Sequence, residues 1–493
     1  MHKSTLIELL RTFSKEELDR FDIFLKSPYF NKAANAVRFF SHIRNYSPGF
    51  DTEDLKKEIV WESMFPDKPY NYGSMKNLIW LLTKLALKFV TQEYIETKTM
   101  SINSNMISAL MKRGANNLLS QKLNELDKFY TEGSLRGKGS VNSIQFYYDL
   151  ANIYSDKNLF TVSTQLVTPD EKSILRESTY SVCSILIQMT KNFNNLLVSS
   201  YGQNSKKINN PVTLIMKELN SGLMDSLMPV IKNISEREYR ILNLFMKVNK
   251  AQLNPGVPEY YKEIYKDFEE CEELLTLSDL KAVVSCRSVL LSFISDDKIN
   301  KNTEAMEINR IMIRNKFFES ASGQLQAFSY YHYISSAFKL NDFEEIKVFS
   351  KKYLSGISGD LTENAETYTN ALLSFGEKKF DECLGHISKL SYNYFLMKIE
   401  IRALKAKCLY ELNDYLLFEN ENKALYHFLK NNKSLSPEAH DSLKANFEMT
   451  AKLFRLREKF NRHEYDLLKE KIMRSETYRN SWFAEKIAYS GFK

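Results

Sequence analysis

AFKLNDFEEI, residues 337–346, reads as the end of one helix, a short polar turn and the opening of a second helix. The same layout returns in SFGEKKFDEC, residues 374–383, and in LYELNDYLLF, residues 409–418. In each, an aromatic residue follows the turn and an apolar residue stands three positions later. The aromatics Phe343, Phe380 and Tyr415 recur at intervals of 37 and 35 residues. One helix pair cannot bury its own apolar face, so pairs at a regular spacing are expected to stack and share a core.

Over roughly residues 321–432 this layout resembles a degenerate tetratricopeptide array, whose helix-turn-helix unit is about 34 residues long. Asn341, Lys378 and Asn413 stand where the turn of that family has glycine. The small residue ahead of each turn is kept as Ala371 and Ala406 and replaced by Ile334 in the first unit. The resemblance implies that the first helix of each pair lines an inner groove. Tyr330, Tyr333, Lys339, Asn370, Lys405 and Tyr410 are then the groove residues.

The rest of the chain agrees with a helical protein. Its 493 residues exceed what one hydrophobic core usually organises, so several domains or a repeat array are expected. With 15 Gly and 10 Pro it lacks the turn punctuation of sandwiches and Rossmann-type folds, while 43% hydrophobic residues suffice to build cores. Phe160 to Val167 has strand-like composition, but one short run without a hairpin partner cannot make a sheet. The net charge of +7 permits contact with nucleic acid or acidic protein without demanding either. Five cysteines, widely spaced and without a CxxC pair, point to buried thiols in a reducing cytoplasm. The most apolar window, Leu78 to Val90, is too short for a bilayer and carries Lys84 and Lys88.

Near the N-terminus, Ser14 and Glu17 form a capping box ahead of a helix with Leu18, Phe21, Phe24 and Leu25 on one face. Pro28 stops that helix, Asn31 is expected to cap the next, and Tyr29 and Phe30 are expected to pin the corner between them. Asp51 is the expected cap of a helix ending at Met64, and a longer helix from about Ser74 to Tyr94 is the expected centre of the module. The layout with its SPYFNK corner also resembles a group of bacterial helical proteins of unassigned function.

Motifs for chemistry are incomplete. Gly133 to Ser140 (GSLRGKGS) has one residue too few for a P-loop, and glycine follows Lys138 where Ser or Thr is required. The seven histidines include no HExxH, and Gly356-Ile-Ser358-Gly-Asp360 lacks the second glycine of a nucleophile elbow. Glu269, Glu270, Glu272 and Glu273 read as a solvated helix face. Two further features are candidates for contact. Lys452, Arg455, Lys459 and Arg462 form a basic ridge on a helix expected to open at Ser436-Pro437-Glu438, and Trp80 shares a stripe with Lys76, Lys84 and Lys88.

The sequence therefore predicts an all-α protein: a helical module over residues 1–97, irregular helical repeats over 98–320, tetratricopeptide-like repeats with a long C-terminal helix over 321–475, and a tail over 476–493. The expected function is that of a non-enzymatic cytoplasmic scaffold or adaptor that binds a peptide or protein segment, without cofactor, metal or membrane insertion. The alternative is a nucleic-acid-associated regulator that contacts phosphate through the basic helix face.

Overall fold

Ser14 opens its helix as its sequence dictates. Its hydroxyl accepts the Glu17 amide at 3.2 Å and its own amide donates to the Glu17 carboxylate at 2.7 Å. Signals of this kind set the element order in a computed structural model of the chain, which describes all residues except 2–3, 133–142, 166–167, 204–209, 295–298, 320–323, 358–360, 392–394, 433–436, 480 and 489–493. The architecture is all-α. Among the described residues the β pairing is confined to one isolated bridge between Glu319 and Leu325. The chain divides into two compact units, Met1–Asn124 and Glu125–Lys493.

The first unit contains α1 (Thr5–Leu10), α2 (Lys15–Lys26), α3 (Ala34–Arg44), α4 (Lys57–Met64), α5 (Tyr72–Glu96) and α6 (Thr99–Lys112), followed by the first half of α7 (Asn116–Glu132). Helix α5 contacts α1, α2 and α3. Their core is aromatic: Phe21 meets Phe40 edge-on at 4.8 Å and Phe89 of α5 at 5.2 Å. At the Pro28 corner, Phe30 stacks on Phe24 at 4.4 Å, whereas Tyr29 is 85% exposed and does not pin the helices. The Ser27 carbonyl accepts the amides of both Phe30 and Asn31, and so tight a turn cannot aim successive side chains at one core. Asn31 is not the helix cap either. Ala33 holds that position, and the Asn31 side chain fastens the corner by accepting from the Ala33 amide at 2.9 Å and donating to the Leu25 carbonyl at 2.9 Å. Thr52, not Asp51, caps the turn ahead of α4 by accepting the Asp54 amide.

The second unit opens with α8 (Ser143–Gln165) and α9 (Glu171–Gln203), which pack along one another. Of the strand-like run, Phe160 to Gln165 lie in α8, where the Thr161 and Thr164 hydroxyls donate to the carbonyls four residues back at 2.9 and 2.6 Å, and Leu166 and Val167 lie outside the described residues. Tertiary packing overrides the β-branched composition there. Helices α10 (Pro211–Glu218), α11 (Met224–Ile234), α12 (Glu236–Leu253), α13 (Pro258–Cys271), α14 (Leu277–Phe293) and α15 (Lys301–Arg314) follow.

Three helix pairs come next: α16 (Ala327–Lys339) with α17 (Phe343–Tyr353), α18 (Thr362–Gly376) with α19 (Phe380–Lys389), and α20 (Phe395–Glu411) with α21 (Tyr415–Asn431). Their three turns are the same. Asn341, Lys378 and Asn413 take left-handed backbone with φ of 59°, 62° and 57°. The amides of Asp342, Lys379 and Asp414 then close back onto the carbonyls of Ala337, Ser374 and Leu409. The repeated aromatic has a packing role: a Cβ added at Gly376 would overlap the ring of Phe343, so the glycine that ends α18 receives the aromatic of the preceding pair. One hydrophobic core runs through these pairs and into α22 (Pro437–Glu458), α23 (Arg462–Arg474) and α25 (Trp482–Ala488), with the short α24 (Glu476–Arg479) reaching back to α15.

A candidate interaction surface on the paired helices

Successive turns of α16 carry Phe328, His332, Ser335 and Lys339 along one stripe, at steps of four, three and four residues. Glu400 of α20 faces that stripe. Its carboxylate accepts from the Ser335 hydroxyl at 2.6 Å, the Lys339 ammonium at 2.6 Å and the Tyr368 hydroxyl of α18 at 3.0 Å. The first helices of all three pairs are thus tied at one carboxylate. Burial alone pushes the Glu400 carboxyl up, but the Lys339 charge and these donors outweigh it and hold the group below its ordinary value. Burial also lowers His332, against the opposing pull of the Glu400 charge and with a smaller contribution from Lys339, so this ring is neutral near pH 7.

Two turns beyond Glu400, Lys407 places its ammonium among the rings of Phe483 (5.5 Å), Trp482 (5.7 Å) and Phe338 (5.8 Å). Burial, with Lys339 nearby, pushes its pKa down to about 8. The tail thus docks on the pairs. Trp482 and Phe483 are buried, the Trp482 indole donates to Glu411 at 2.6 Å, and Lys486 pairs with the same carboxylate at 2.6 Å. The Trp482 ring stands edge-on to Tyr410 at 5.3 Å.

Of the six residues expected in a groove, three are interior and cannot meet a partner. Tyr330 is fully buried and shares a hydrogen bond with Thr369 at 2.8 Å, Tyr333 stacks on Phe349 at 3.8 Å, and Tyr410 lies beneath Trp482 with the Arg457 guanidinium 3.8 Å from its ring. The physical reason is that first-helix tyrosines fill the space between helices of a pair and between pairs. Lys405 points to α21, pairing with Glu421 at 2.5 Å, and Asn370 is half-buried on α18. Lys339 is exposed and joins the Glu400 cluster. Glu400, Ser335, Tyr368 and Lys407 were not singled out by sequence, since no local spacing links helices this far apart along the chain.

The basic ridge is not one helix face. Helix α22 ends at Glu458 because Asn461 caps α23 by accepting the Glu464 amide at 3.1 Å. Arg455 and Lys459 are exposed and Lys452 is half-buried, while Arg462 starts α23 and binds Asp466 at 2.9 Å. Phe460 is 43% exposed in the joint. Trp80 on α5 is 63% exposed, with the Lys84 ammonium 5.4 Å from its ring.

The glycine-rich stretch 133–140 and residues 358–360 of the elbow-like motif lie outside the described residues, as does Ser436. Among the described residues no cluster of His, Cys, Asp or Glu is arranged to hold a metal, and no helix is long and apolar enough to cross a membrane. All five cysteines are free thiols and buried. Comparison with known protein families, curated proteins and solved structures finds no match to this chain.

Proposed function

We propose that the chain is a non-enzymatic scaffold or adaptor whose paired helices form a tetratricopeptide-like array, and that the face built by α16, α18 and α20 binds a peptide or protein segment. The supporting observation is the docking of α25. A short helix presents adjacent Trp482 and Phe483, the indole N–H meets the Glu411 carboxylate, and Lys407 lies against both rings. A surface that holds this segment has the chemistry to hold another with aromatic anchors. Buried thiols, including Cys383 and Cys408 with sulfurs 3.4 Å apart, agree with a reducing compartment such as the cytoplasm.

The test is affinity capture from lysate on the full-length protein, washed at low and high salt with and without nuclease. A discrete protein that survives high salt and is lost with a Phe328→Ser, Lys339→Gln double variant supports the scaffold. Salt-labile, nuclease-sensitive recovery supports phosphate contact by Arg455 and Lys459 instead.

A further inference from the structure

Arg287 of α14 is fully buried, yet among the described residues only one of its three nitrogens finds a hydrogen-bond partner. Its Nη2 donates to the Glu304 carboxylate at 3.2 Å, while Nε and Nη1 have no hydrogen-bond partner among the described residues. Aromatic rings surround the guanidinium: Tyr265 at 4.7 Å, Phe268 at 5.6 Å and Tyr261 at 5.9 Å. Glu304 is also shared, since its Oε2 accepts the Tyr261 hydroxyl at 2.9 Å. A buried charge with unmet donors is costly, and a planar guanidinium is matched by the paired oxygens of a carboxylate or phosphate.

Beside this arginine is a cavity of about 310 Å³, within the size of small-molecule sites, lined by Tyr261, Lys262 and Tyr265 of α13 and by Asn300, Thr303 and Glu304 at the start of α15. Three of these lining residues are the same ones that enclose Arg287. Tyr265 is common to both: it is half-buried, lines the cavity and has its ring 4.7 Å from the guanidinium. Its hydroxyl is hydrogen-bonded to Glu269. Side-chain rotamer changes at a position of this kind are common on binding.

The geometry points to a binding site for a small oxyanion, a carboxylate- or phosphate-bearing molecule, in which Arg287 is the buried anchor, Thr303 supplies a hydroxyl donor at the rim, and Tyr265 moves to admit the ligand. This site shares no lining residue with the face formed by α16, α18 and α20 and does not depend on what that face binds.

The experiment is calorimetric titration of the full-length protein with inorganic phosphate and, separately, with succinate, against sodium chloride at matched ionic strength. Saturable binding of one or both is expected, weakened about tenfold or more by Arg287→Lys, which keeps the charge but loses the fork, and left equal or tightened by Tyr265→Ala. Phosphate and succinate separate the two ligand sources. Should Arg287→Lys fail to fold, Thr303→Val, a near-isosteric change at an exposed position, is expected to weaken binding several-fold. No saturable binding of either anion up to about 10 mM, a range that covers weak small-ligand sites, would overturn the assignment, as would binding that folded Arg287→Lys or Thr303→Val leaves unchanged.

Discussion

Glu400 and Lys339 meet at 2.6 Å across 61 residues of chain, joining the first helix of the third pair to the first helix of the first. The link closes over the second pair, whose Tyr368 donates to the same carboxylate.

Replacing Glu400 by alanine leaves three donors without their acceptor. We expect a loss of about 2 kcal/mol, measured by urea denaturation, in line with hydrogen bonds to a charged group that is not fully enclosed. Glu400→Gln retains part of the network and is expected to cost about half as much. The pH dependence has a definite sign. The folded pKa lies below the ordinary value of 4.5, so the contribution is complete above that pH and is lost as pH falls through the folded value. The gap between wild type and Glu400→Gln should therefore close in acid.

Lys407 has the opposite consequence. Its folded pKa of about 8 lies below the ordinary 10.5, so wild-type stability gains from this group as pH rises through that window. Lys407→Met, similar in volume and uncharged, is expected to be more stable than wild type by about 1 kcal/mol at pH 7 and to lose that advantage above pH 10.5. Denaturation at several pH values checks it; an advantage independent of pH would contradict the assignment.

The three turns make a third test. Lysine at φ of 62° bears a steric cost that glycine does not, so Lys378→Gly is expected to stabilise by about 0.5–1 kcal/mol. Asn413→Gly should gain less, because asparagine tolerates this conformation and its side chain also accepts from Arg457 at 3.3 Å. At the nearby close approach the sign reverses: Gly376→Ala drives a methyl into the Phe343 ring and should destabilise by about 1–3 kcal/mol.

How much of this was legible in the sequence depended on distance along the chain. Phe343, Phe380 and Tyr415 announced the pairs because turn, cap and aromatic lie within ten residues of each other. Local signals were less decisive where two competed. Asn461 as a cap ended α22 before the basic ridge was complete, and the turn after Pro28 sent Tyr29 outward while Phe30 packed inward. The tyrosines expected in a groove shared the helix with true surface positions, and periodicity alone did not say which side of α16 faced α17. Glu400 was invisible, since its partners come from helices 65, 61 and 32 residues away. The same holds for Arg287, whose surroundings come from two other helices, α13 and α15.

Trp482→Ala removes a buried indole and its hydrogen bond to Glu411. We expect it to cost about 3 kcal/mol or more if the tail unfolds with the unit, or to release the tail alone. Limited proteolysis near residue 480 separates these outcomes, since only a released tail is cut in an otherwise protected chain.

The most direct test of the binding face is capture by wild-type protein and by the Phe328→Ser, Lys339→Gln variant side by side, after circular dichroism has shown both to be folded. A discrete protein partner is expected to be retained through high-salt, nuclease-treated washes by the wild type and to be absent from the variant. Equal recovery on both proteins, or recovery that nuclease abolishes, would contradict it.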